Sequence, residues 1–75
     1  MSQTVAGLTA VTTEDLKQLL QGLHRGLFDQ PFDIHCVTAC KLQHVAEPLL
    51  GQMRGLEPKG VRAVLVAVLA ERLNG

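Results

Sequence analysis

Four residues with coordinating or nucleophilic side chains crowd one short stretch: His35, Cys36, Cys40 and His44. On a continuous helix Cys36, Cys40 and His44 fall at i, i+4, i+8 and share one face. A pair at i, i+4 is able to chelate one metal, and sulfur with imidazole is what zinc or copper would take. A run of eight residues covers ~12 Å of helix, however, so one helix does not bring all three onto one ion. A closed site would need His24 or a second chain. The plainer expectation is that both cysteines are small core residues and the histidines are surface groups. No metal and no cofactor is expected, and a Zn- or Cu-linked module stays as a second alternative.

Cysteine nucleophilic catalysis would pair Cys36 or Cys40 with His35, His24 or His44, with Asp33 close in sequence. The chain has no glycine-rich phosphate cradle and no pattern joining these residues into a triad. An enzyme is therefore not expected. The first alternative is a dimeric DNA-binding regulator of helix-turn-helix type, with residues 33–41 followed by a reading helix over 44–54. Lys41, Arg54, Lys59 and Arg62 would form its basic stripe. That reading helix, HVAEPLLGQMR, opens with apolar and acidic side chains and lacks the Arg, Lys, Asn or Gln that read base edges at its start. Nucleic acid is not the expected partner on this ground. A membrane-surface helix would carry a dense cationic face, and Lys59, Arg62 and Arg72 are too sparse for one.

Any such site rests on helices, and composition already points there. The chain has 75 residues, 47% hydrophobic and 19% charged, which is too apolar for disorder and enough for one small domain. Two Phe with no Trp or Tyr remove the usual stacking platforms for single-stranded nucleic acid. No apolar run spans a bilayer, and Met1–Thr4 lacks a secretory leader pattern. Two cysteines at i, i+4 are poorly placed for a disulfide, so reduced thiols and a cytoplasmic location are expected. Lys and Arg balance Asp and Glu at seven each, yet unevenly. Residues 1–37 hold four acids (Glu14, Asp15, Asp29, Asp33) against Lys17 and Arg25. Residues 38–75 hold five bases (Lys41, Arg54, Lys59, Arg62, Arg72) against Glu47, Glu57 and Glu71. Such polarity is able to orient a pairing with another copy.

Residues 1–11 carry no charge and read as a flexible N-terminal arm, with 12–75 as a single helical domain. Leu16, Leu19, Leu20 and Leu23 predict an amphipathic helix over 13–25, with Thr12 or Thr13 as N-cap and Gly26 just past its end. Leu16–Leu20 also spells LxxLL, which any leucine-rich core helix produces. Pro31 breaks the chain before a short helix opened by Asp33. Ile34 and Val37, with Cys40 or the Lys41 stem, would line its inner face. Leu27, Phe28 and Phe32 are expected to fold back onto the core. A third helix over 44–54 carries Pro48 in its first turn and stops at Gly55, and a fourth runs over 58–73 with Pro58 at its first position. The architecture is all-α: a small four-helix bundle, with a short fifth element as an option, and dimeric. In topology it resembles either the death-fold style of adaptor module or a simple homodimeric bundle, and no motif selects a family.

The last helix carries the functional expectation. Val61, Val64, Leu65, Val68, Leu69 and Leu73 would form its inner stripe. Yet residues 61–70, VRAVLVAVLA, hold a single polar side chain, Arg62. A helix apolar on nearly every side is normally covered all round, and three short companions are too few to do that. The expected function is a protein–protein interaction or adaptor module. It would associate with itself, or dock onto a protein partner, through Val61, Arg62, Val66, Leu69 and Leu73.

Overall fold

Thr12 sits in extended backbone, and its Oγ1 accepts the Asp15 N–H at 3.1 Å, so the first helix starts at the next residue. In the computed structural model, which describes residues 8–74, that helix is α1, Thr13–His24. It is followed by α2 (Ile34–Ala39), a 3-10 turn (Gln43–Val45), α3 (Ala46–Met53) and α4 (Pro58–Asn74). The described residues are all-helical, without a strand. The Cα radius of gyration is 11.1 Å, matching the ~11 Å of a compact chain of this length.

Each helix stops for a local reason. Beyond α1, Gly26 adopts φ +73°, its N–H bonding Leu23 O while Leu27 N–H bonds Gly22 O. That is the paired closure of a left-handed helix end, which glycine adopts without steric penalty. The same closure ends α2, where Lys41 N–H bonds Thr38 O and Leu42 N–H bonds Val37 O. Here the left-handed residue is Lys41, at φ +59°. Helix α2 therefore does not continue into the next turn. After α3, Gly55 (φ +84°) is left-handed inside a turn closed by Leu56 N–H to Met53 O, while its own N–H leaves the helix for Phe32 O.

The core joins both cysteines to the leucines of α1 and to Phe28, Phe32, Leu42, Val45, Leu49, Met53, Val61, Leu65 and Val68. Phe32 pins the linker to the α3–α4 turn through its backbone. Its N–H donates to Leu56 O at 2.8 Å, and its C=O accepts from Gly55 N–H at 2.9 Å. Gly22 lies so close to Cys40 that a methyl group there would come 2.5 Å from Sγ, so α1 meets the end of α2 at a glycine.

Four expectations need correction. Of the arm over residues 1–11, residues 1–7 lie outside the described residues, but Leu8 and Val11 are buried in the core, and Arg72 Nη2 donates to Leu8 O at 2.9 Å. Ile34 is exposed, because the buried face of α2 is made by Cys36, Val37 and Cys40. Leu27 is exposed, while Phe28 and Phe32 do fold back. Leu73 is 86% exposed and is not part of the inner stripe.

Asp33 caps α2, with Oδ1 accepting the His35 N–H at 2.9 Å and the Cys36 N–H at 3.3 Å, and Oδ2 accepting from Gln30 Nε2. Desolvation pushes its carboxyl up, but the Cys36 N–H, the Gln30 amide and the His35 N–H outweigh this and hold it below the ordinary value. A folded value below the unfolded one, about 4, means that the cap stabilises fully above that pH and loses its effect as pH falls through the folded value. Melting temperatures of wild type and Asp33→Asn are therefore expected to differ in their acid dependence. Wild type loses more between neutral and strongly acidic pH, and parallel curves would contradict this.

Candidate functional site

The expected chelating trio is taken apart by the fold. Because Lys41 turns the chain out of helix, Cys36 and Cys40 stay in the core while His44 belongs to the following 3-10 turn. His44 Nε2 instead meets Asp15 Oδ2 of α1 at 3.1 Å. Cys36 Sγ approaches Pro31 O at 3.8 Å, and Cys40 packs under Gly22. Among the described residues, no group of three or more His, Cys, Asp or Glu side chains is placed to hold a metal ion. Burial pushes both thiols above the ordinary cysteine range, with Asp33 adding to the shift at Cys36 and Cys36 adding at Cys40. A thiol held protonated is a poor nucleophile.

The expected basic stripe is also divided. Lys59 and Arg62 share one surface with Ala63, Val66 and Ala67. Arg54 lies apart, beside Glu47, Leu50 and Gly51. Lys41 lines a separate groove with Gln18, Gln21, Arg25 and Cys40, where Gln18 Nε2 donates to Cys40 O at 2.6 Å.

What remains is the outward face of α4. This helix obeys its period strictly. Val61, Leu65 and Val68 are buried, Val64 and Leu69 are half-buried, and Arg62, Ala63, Val66, Ala67 and Ala70 are exposed. Of the expected interaction residues, Val61 is corrected. It is 0% exposed, because it lies one turn before Leu65 and two before Val68 on the inner side. Arg62, Val66 and Leu73 are open to a partner, and Leu69 is partly so. Val66 is 48% exposed and Leu73 86%.

Two contacts orient this face on the molecule. Arg72 Nη1 donates to Thr13 Oγ1 at 3.2 Å, fastening the end of α4 to the start of α1. Leu23 and His24, at the end of α1, share a groove with Pro58, Lys59 and Arg62, at the start of α4. The two helices therefore run antiparallel. One end of the pair holds Glu14, Asp15, Glu71 and Arg72, and the other holds His24, Arg25, Glu57, Lys59 and Arg62, so each end carries charges of both signs. The Arg72 clamp was not anticipated from the sequence. An arginine in the last turn of a helix, near its C-terminal carbonyls, signals nothing beyond the helix dipole.

Among the described residues, no helix is long and apolar enough to cross a membrane. Comparison with protein families, curated proteins and solved structures finds no match for this chain.

Proposed function

We propose that this chain is a small helical-bundle interaction module of the adaptor type, which docks by the outward face of α4 and associates with itself there. One observation carries the reading. The same helix that supplies Val61, Leu65 and Val68 to the core leaves Val66 and Leu73 open to solvent, with Ala67 and Ala70 between them and Ala63 one turn before Val66. Scattered exposed apolar residues are ordinary on any surface, but a continuous stripe along one helix is the form taken by helix-docking surfaces. Alanines on such a stripe let another helix approach closely. No catalytic step belongs to this reading. Two free thiols persist in reducing surroundings, so a cytoplasmic setting goes with it.

Val66→Lys tests the reading. The substitution lies on the exposed face, so stability should change by no more than about 0.5 kcal/mol. Sedimentation equilibrium should find wild type rising above the 8.1 kDa of one chain as concentration increases, with Val66→Lys held near that mass. Equal masses for the two proteins at every concentration would remove the outward face as an interface.

A further inference from the structure

We draw no further inference here: the strongest candidate, the groove between α1 and the end of α2 lined by Gln18, Gln21, Arg25, Cys40 and Lys41, carries nothing because its two cations each stand at a helix C-terminus, where the helix dipole alone accounts for them, and nothing in the structure points to a ligand.

Discussion

Val68→Asp is expected to abolish the folded state. Val68 is 1% exposed, on the α4 face that packs with Val61 and Leu65 into the core. The substitution removes a buried valine worth about 1.5–3 kcal/mol. It also places a carboxylate where, among the described residues, the buried set holds no polar or charged partner. An unpaired buried polar group costs ~1–3 kcal/mol even when it takes up a proton, and more when it is charged. A chain of this length has about 4–11 kcal/mol of stability in total. Circular dichroism should show little helix and no cooperative melt, whereas a sigmoidal transition within a few degrees of wild type would contradict the burial of this face. The comparison with Val66→Lys, two residues away on the same helix, separates core from surface. One substitution unfolds the chain and the other leaves it folded.

Phe32→Ala comes next in size. Phe32 is 1% exposed and meets Phe28 edge-on, with ring centroids 6.1 Å apart and planes at 66°. Removing a buried ring typically costs about 3–5 kcal/mol in lost burial and the cavity left behind. The backbone bonds of Phe32 to Leu56 and Gly55 survive the substitution, so the loss reports the ring alone. At roughly 4–8 °C per kcal/mol for a domain of this size, melting should fall by more than about 12 °C, if a folded population remains. Ile34→Ala is the control. Because Ile34 is exposed, melting should shift by only a few degrees. A loss at Ile34 equal to that at Phe32 would mean that α2 turns its other side inward.

The helices were legible where length allowed periodicity to decide. Leu16, Leu19, Leu20 and Leu23 span more than two turns of α1, and the caps at Thr12 and Gly26 match their side-chain chemistry. The same holds for α4, whose exposed and buried residues alternate with the helical period from Pro58 to Asn74. Helix α2 has six residues, less than two turns, so Ile34–Val37 and Cys36–Val37–Cys40 are equally good stripes on paper. Packing against the rest of the core decides between them. Lys41 in left-handed backbone had no signal at all, since glycine or asparagine is the usual residue there. That single residue separates His44 from the two cysteines and takes the expected chelating trio apart. The outward face of α4 was half legible. Hydrophobic excess over 61–70 marked the helix, but which of its residues stay outside depends on where α1 crosses it. Val61 lies inward and Leu73 outward.

The most direct test of the docking face is amide NMR of uniformly labelled wild-type protein, titrated from micromolar to millimolar concentration. Changes in chemical shift should concentrate at Arg62, Val66, Leu69, Ala70 and Leu73, while the α2–α3 surface stays still. Spectra that do not change with concentration, or changes centred on α2 and α3, would contradict the account.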